Sequence, residues 1–342
     1  MPKQKLNRKT FAFIDLFAGI GGFRLALQGF GGTCVFSSEW DDKSRDVYLK
    51  NFGELPHGDI TKIKEKEIPE HDVLCAGFPC QAFSISGKRL GFKDIRGTLF
   101  FDVVRIAKKH KPDILFLENV KNFARHDDGN TLKTILNILD DIGYKSFPQI
   151  LKSSDYKVPQ ARERLYVIAF RKDLGIENFK FPTPIDKNKI VKDILEDEQI
   201  VSKLCYINRP DIKIYGDEKK VIDPRRPLQI GKINNGGQGE RIYSTFASGI
   251  TLSAYGGGAA SKTGAYLVNG KVRKLTPREC ARIQGFPENF ILPENRNIAY
   301  KQFGDSVSVP VLRAIFAKVI KKYPELKNKR NLSSINNKAQ SI

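Results

Sequence analysis

With 342 residues, 40% of them hydrophobic, the chain is long enough for one large or two modest domains and too apolar for global disorder. A formal net charge of +20 points to a polyanionic partner, most often nucleic acid, with a generally solvated basic surface as the plainer alternative. Cys34, Cys75, Cys80, Cys205 and Cys280 form no CxxC pair and the four histidines are scattered, which argues against a metal site and against a disulfide scaffold. The basic N-terminus lacks an apolar core of signal-peptide length, and no apolar run is long enough to span a bilayer. A reduced, cytoplasmic protein is expected.

The stretch FAFIDLFAGIGGFRLALQGFG predicts a strand over Phe11 to Leu16, a glycine turn, and a helix from near Gly21. TCVFSSEW predicts a second strand, Thr33 to Ser38, ending in Glu39, followed by a helix over Asp42 to Phe52. HDVLCAGF is a third strand; TLFFDVVRIAKKHK carries apolar residues at helical spacing; PDILFLENV is a buried strand ending in Glu118. TLKTILNILDDIGY is a helix closed by Gly143, and RLYVIAF a later strand. Strands alternating with helices in this way predict an α/β fold of parallel β-α-β units with helices on both faces.

The pattern changes after about residue 187. The chain to Arg226 is charged, proline-dotted and poorly periodic. It then becomes glycine-rich, with strand-like runs LQIGKI, RIYSTF, GITLSAY and AYLVNG, which predict a second domain of short strands and loops. LTPRECARIQGF reads as a helix with Thr276 as N-cap and Pro277 in its first turn, and VPVLRAIFAKVIKKY as a final helix that returns to the first domain. The expected division is a catalytic, cofactor-binding unit over 1–193 completed by 305–324, a second domain over 194–276, a hinge over 277–304, and a disordered tail over 325–342.

DLFAGIGG places glycines where a strand turns into a helix, so the backbone can approach a ligand closely and the helix start offers unpaired N–H donors. Glu39, about 20 residues on at a strand end, is placed to accept from ribose hydroxyls. This pattern serves nicotinamide and S-adenosylmethionine enzymes alike, and a plain tight turn also fits it. Trp40 is either an adenine platform or core. Asp59 either accepts from an adenine amino group or caps a turn.

Cys80 follows a strand end, between Pro79 and Gln81, and precedes a basic stretch with Gly87, Gly91 and Gly97. A thiolate there is a candidate nucleophile, whereas Cys75, inside the apolar run, reads as packing. Glu118 ends a neighbouring strand after four apolar residues, a costly place for a carboxylate that is neither paired nor functional. Arg162 and Arg164 in QARER stand two apart, on one side of an extended segment, and could hold a carboxylate, a phosphate or a base carbonyl.

In this order DLFAGIGG, GFPCQAFS, ENV, QARER, RKLTPRECARIQGFP and QFGDSV resemble the motifs of the DNA cytosine-5 methyltransferases, over nearly the whole chain. The resemblance implies a Rossmann-like catalytic domain that uses S-adenosyl-L-methionine, a smaller, mostly β target-recognition domain, and double-stranded DNA held between them. It implies Cys80 as the nucleophile at cytosine C6, Glu118 as the acid toward ring N3, Arg164 at the O2 carbonyl and Arg162 as a residue ordering Cys80 or Glu118. The implied cofactor pocket comprises Phe17, Gly19, Gly21, Glu39, Trp40, Asp59, Ile60, Pro79 and Asp305. Position 305 departs from the usual Gly-Asn-Ser-Val, and the extra negative charge calls for weaker cofactor binding or a compensating cation nearby. The target base must leave the stack to reach Cys80. Glycine hinges then suit a mobile loop whose Lys88, Arg89, Lys93 and Arg96 meet phosphates. By resemblance Ser86 and Gln238 fill the vacated space and Tyr255 touches DNA.

GGQGERIYSTFASGITLSAYGGG is the expected base-reading region, with Arg241 toward guanine and Gln238 toward the orphaned guanine. It resembles the corresponding stretch of bacterial restriction-modification methyltransferases that recognise GCGC. A monomer is expected, with a cognate restriction endonuclease acting separately. The competing readings are a tRNA cytosine-5 methyltransferase sharing these motifs, a DNA-binding protein weakened by Asp305, and a nicotinamide-dependent oxidoreductase that leaves Cys80 and the charge unexplained.

Overall fold

The structure, a computed structural model, describes residues 11–79, 99–185 and 189–329. Strand β1 (Phe11–Leu16) is buried along its whole length because both faces of its sheet are covered. Phe11 and Phe13 enter one apolar cluster, while Ile14 and Leu16 enter another on the opposite face. Chain order continues through α1 (Gly22–Gln28), β2 (Gly32–Ser38), α2 (Asp42–Phe52), β3 (Val73–Gly77), α3 (Leu99–His110), β4 (Ile114–Val120), α4 (Asn130–Asp141), β5 (Tyr144–Lys152) and β6 (Glu163–Arg171). The six strands lie in the order β2-β1-β3-β4-β6-β5, with β2, β1, β3 and β4 parallel and β6 antiparallel to both neighbours. The parallel α/β core is therefore as the alternation predicts, and a turnover at its far edge is added.

A second sheet has its own small core of Ile230, Ile233, Ile242, Ala260, Ala265 and Val272. It comprises β7 (Lys213–Ile214), β8 (Gln229–Lys232), β9 (Arg241–Ser244), β10 (Ala265–Val268) and β11 (Lys271–Lys274), ordered β11-β10-β9-β8-β7. From β11 the chain enters α5 (Pro277–Gln284) through a capping box in which Thr276 Oγ1 accepts from Glu279 N. Glu279 also takes two bonds from Arg273, at 2.7 and 2.8 Å, with the two side chains 0% and 2% exposed. A buried pair this fully hydrogen-bonded fixes the angle at which the second sheet leaves the helix. Next come α6 (Arg296–Asp305) and α7 (Val309–Lys322), and Phe316 of α7 packs on Phe11, Phe30 and Phe116.

Several local expectations are corrected. GITLSAY forms no regular strand; its backbone crosses to the QARER segment, where Gly249 N donates to Pro159 O and Ala161 N to Gly249 O. Strand β5 was not predicted, because Pro148 interrupts it; it is tolerated at the sheet edge, where one side of the strand needs no ladder bond. Helix α6 begins within the expected hinge and ends at Asp305, one residue beyond it. Residues 325–329, expected to be disordered, form a turn that buries Leu326 completely, and Lys329 pairs with Asp113 and Asp72.

Candidate active site

The loop after β1 is shaped by left-handed backbone at Phe17 (φ 56°), Gly19 (φ 54°) and Gly21 (φ 87°). At Gly21 a side chain is excluded twice, by φ and by the Phe52 ring that a Cβ would strike. The loop closes over the end of β2: Gly19 N donates to Glu39 Oε2 at 2.8 Å and Asp41 N to Glu39 Oε1 at 2.9 Å. Burial raises the Glu39 pKa, and these two N–H groups oppose the rise. Each oxygen keeps a further lone pair for a hydroxyl donor. Trp40 is 79% exposed, so the core alternative is excluded. Asp59 caps a turn, with Oδ1 accepting from Thr61 N and Oγ1, and its Oδ2 lies 3.9 Å from the Lys62 ammonium. Ile60 beside it is buried and Pro79 is exposed. Asp15, one residue before the end of β1, is fully buried. Burial holds its pKa well up, against the pull of the Arg24 charge.

Glu118 lies at the carboxyl end of β4, where Gly77 of β3 is its register partner. Its Oε1 is 3.2 Å from Arg164 Nε, which reaches it from β6. Burial raises the Glu118 pKa, while Arg164 and then Arg162 pull it back. Arg162 is 2% exposed and donates to Leu252 O and Gly304 O at 3.1 Å and to Ser306 O at 2.6 Å. Burial, with the neighbouring Arg164 charge, lowers its pKa to about 9. Arg162 thus bonds the backbone where three segments meet, and reaches Glu118 through charge rather than contact. Cys80, Ser86, Lys88, Arg89, Lys93 and Arg96 lie outside the described residues.

Two supporting residues carry no role in the sequence reading. Asn119 Nδ2 donates to Phe78 O at 2.9 Å and so fixes the chain two residues before Cys80; its place inside the ENV motif was the available signal. Gln160, fully buried, donates to Ile283 O and accepts from Leu252 N, both at 3.1 Å. It ties the QARER segment to α5 and to the crossing chain, and it stood unused at the head of a quoted motif.

Gln238 and Arg241 are exposed and share the wall of a cavity of about 430 Å³ with Ala161, Thr251 and Tyr243. The cavity therefore joins the stretch expected to read bases to the neighbours of Arg162. Tyr255, 65% exposed, lines a separate cavity with Asp41 and Lys301. Asp305 meets its cation here: Lys301 Nζ is 3.4 Å from Asp305 Oδ2, one helical turn away on α6.

The arrangement gathers an acid, guanidiniums and a glycine-turn recess at the carboxyl ends of parallel strands, where ligands of doubly wound sheets bind. The family described as C-5 cytosine-specific DNA methylase matches residues 11–321. The chain is 55% identical to the type II methyltransferase M.HhaI of Haemophilus parahaemolyticus, over 89% of this chain and 92% of that protein. It is 44% identical to the type II methyltransferase M.HpaII of Haemophilus parainfluenzae, over 93% and 92% of the two. In fold it is similar to the Entamoeba histolytica methyltransferase EhMeth (TM-score 0.70, 21% identity, 92% of this chain and 99% of that one). It is likewise similar to the S. pombe Dnmt2 methyltransferase (TM-score 0.69, 20% identity, 91% and 98%). Family match, sheet order and the second sheet agree: the chain belongs to the C-5 cytosine-specific DNA methylases and is a DNA cytosine-5 methyltransferase.

Proposed function

We propose that the methyl group comes from S-adenosyl-L-methionine and passes to a cytosine flipped out of duplex DNA, within GCGC. The observation that carries the site assignment is the pairing of Glu118 with Arg164 at the end of β4, beside the strand that leads to Cys80. The residues present fit the cofactor. Glu39 retains acceptor capacity for ribose, and Trp40 offers an exposed ring for adenine. When bound, the cofactor supplies an electrophilic methyl group.

Cytosine C5 is too electron-poor to attack unaided. Addition of the Cys80 thiolate to C6 forms a carbon–sulfur bond and turns C5 into the nucleophilic end of an enamine. Glu118, whose pKa burial raises, suits the role of holding a proton toward N3, where it lowers the cost of the addition. Arg164 keeps a planar fork of donors beside Glu118, suited to the O2 carbonyl where negative charge grows. Arg162 holds the surrounding backbone. After methyl transfer, loss of the C5 proton to water lets the thiol leave.

The +20 charge supplies the sequence-independent affinity for duplex DNA. Arg241 and Gln238 share a cavity wall that continues to Ala161, which supports Arg241 reading a guanine edge and Gln238 pairing with the guanine left opposite the vacated position. The enzyme acts as a monomer protecting DNA against a cognate nuclease.

Transfer of labelled methyl from S-adenosylmethionine to duplex DNA, to tRNA and to no acceptor tests the reading, with bisulfite mapping of the product. Label confined to the inner cytosine of GCGC in duplex DNA is expected. Transfer to tRNA alone, or full activity of Cys80→Ser, overturns it.

A further inference from the structure

We propose that Lys64, Lys66, Lys108 and Lys109 form a second contact for duplex DNA, apart from the catalytic cleft, through which one enzyme molecule holds two DNA segments at once. The inference goes beyond the methyl-transfer reading and does not depend on which residues carry that chemistry.

Two segments supply the four lysines. Strands β3 and β4 are parallel, so α3 between them runs back from their carboxyl ends to their amino ends, a helix of 12 residues and about 18 Å. Its last turn, with Lys108 and Lys109, therefore lies at the edge where Val73 pairs with Ile114, whereas Glu118 lies at the opposite edge beside Gly77. Lys64 and Lys66 flank Glu65 in the chain that leads into β3, at the short turn Glu65–Glu67. All four lysines are exposed, and with Glu65 and Arg105 they line a cavity of about 510 Å³.

Side chains beneath the lysines hold these like charges together. Arg105 Nη1 stands 3.0 Å from Glu65 Oε1, its Nη2 donates to Ile60 O at 2.7 Å, and its Nε donates to Asp102 Oδ1 at 2.8 Å. His110 Nε2 donates to Glu65 O at 2.8 Å. These bonds dock the lysine-bearing turn on the end of α3, and they also occupy the local carboxylates. Glu65 and Asp102 face Arg105, Glu67 accepts from the backbone N–H of Lys64 at 3.0 Å, and Glu70 faces His110 at 3.2 Å. Among the described residues, none of the four ammoniums forms an ion pair with a carboxylate. The helix dipole accounts for Lys108 and Lys109 at the end of α3, but not for Lys64 and Lys66 facing them from another segment. Such an arrangement repels itself, and a polyanion relieves it.

The lining selects the occupant. It holds no aromatic or apolar side chain, so it offers neither a platform for unpaired bases nor a wedge for a lipid surface. Ammoniums on flexible stems meet phosphates as point charges and read no bases. Duplex DNA, this enzyme's own substrate, carries phosphates in regular rows on every stretch beyond the one in the cleft, and a second such stretch fits the patch. Holding two stretches lets the enzyme pass from one to the other without returning to bulk solution.

The test counts duplexes on the whole protein by sedimentation velocity, using a GCGC duplex of about 12 base pairs, roughly 40 Å long, in excess at low salt. Wild type should carry two duplexes. A variant combining Lys64→Gln, Lys66→Gln, Lys108→Gln and Lys109→Gln should carry one and should methylate that short duplex within about twofold of the wild-type rate, which also reports that it is folded. Binding of the second duplex should weaken with salt at a log–log slope of about −3, the release expected for three to four phosphates. A charge-matched control combining Lys133→Gln, Lys180→Gln, Lys203→Gln and Lys321→Gln, all exposed positions elsewhere, should still carry two. A wild type that carries only one duplex, a patch variant that carries two, or a control that loses the second as fully as the patch variant overturns the inference. So does a patch variant that loses methylation together with the second duplex, because the patch would then belong to the cleft. Displacement of the second duplex by phosphatidylserine vesicles but not by unrelated duplex would assign the patch to a membrane surface and overturn it as well. Methyl transfer to tRNA alone would strike the target reading above, while the duplex count would stand or fall by itself.

Discussion

Arg164 Nε stands 3.2 Å from Glu118 Oε1, across two antiparallel strands, with the side chains 14% and 10% exposed. From this pair charges alternate outward through Arg162, Asp305, Lys301 and Asp41, each acting electrostatically on the next. Glu118 and the loop after Trp40 are therefore linked by one line of alternating sign.

Arg164→Met should lower kcat about 100-fold, since it removes a donor aimed at developing charge. It also removes the cation that pulls the Glu118 pKa down, so the neutral acid survives to higher pH and the basic limb of the kcat profile moves up. Stability carries the same signature. The raised pKa of Glu118 means that the folded protein holds its proton more tightly than the unfolded chain. Stability from this group is full below about pH 4.3, the unfolded value, and declines as pH rises through the folded one. Glu118→Gln should flatten that decline in urea unfolding across the acidic range; an unchanged slope would show that Glu118 is not the group responsible.

Arg162 has a different consequence. Its three carbonyl partners lie on two segments distant in sequence, Leu252 on one and Gly304 and Ser306 on the other. Arg162→Ala leaves them unpaired in a dry place and should cost about 3–5 kcal/mol, read from the urea midpoint. Arg162→Lys keeps the charge but loses the planar fork, so it should recover only part of that loss. If both variants unfold at the wild-type midpoint, the backbone clamp is not holding the joint.

This clamp also marks where the sequence stops being legible. Strands β1, β3 and β4 could be read because they are buried on both faces and so run as unbroken apolar stretches ending in polar residues. The cap at Thr276 could be read because its bonds are local. GITLSAY alternates like a strand, yet its groups are taken by Gln160, Ala161 and Arg162 from another segment, which outweighs local preference. Helix α6 lacks a clean apolar stripe, so Lys301 had no helical register from which its approach to Asp305 could be foreseen. The need for a cation was visible in GDSV; its source was not.

Trp40 offers a clean separation of binding from stability. At 79% exposure it contributes little to the core, so Trp40→Ala should shift unfolding by less than about 0.5 kcal/mol. If the ring stacks on adenine, the same change should weaken S-adenosylhomocysteine about tenfold by calorimetry. A stability loss comparable to the binding loss would assign the ring to packing instead.

Gln238 and Arg241 line one cavity but should fail in different ways. If Arg241 reads a guanine edge, Arg241→Ala should lower discrimination at one base pair by about 1–3 kcal/mol, measured as kcat/KM on GCGC against singly altered sites. Gln238→Ala should leave discrimination nearly intact and slow methylation about tenfold, because the guanine left behind loses its substitute partner. That deficit depends on there being a guanine to pair. On a duplex with an abasic position opposite the target cytosine, Gln238→Ala and wild type should methylate at equal rates, and a deficit persisting on that duplex would remove Gln238 from the role of filling the helix.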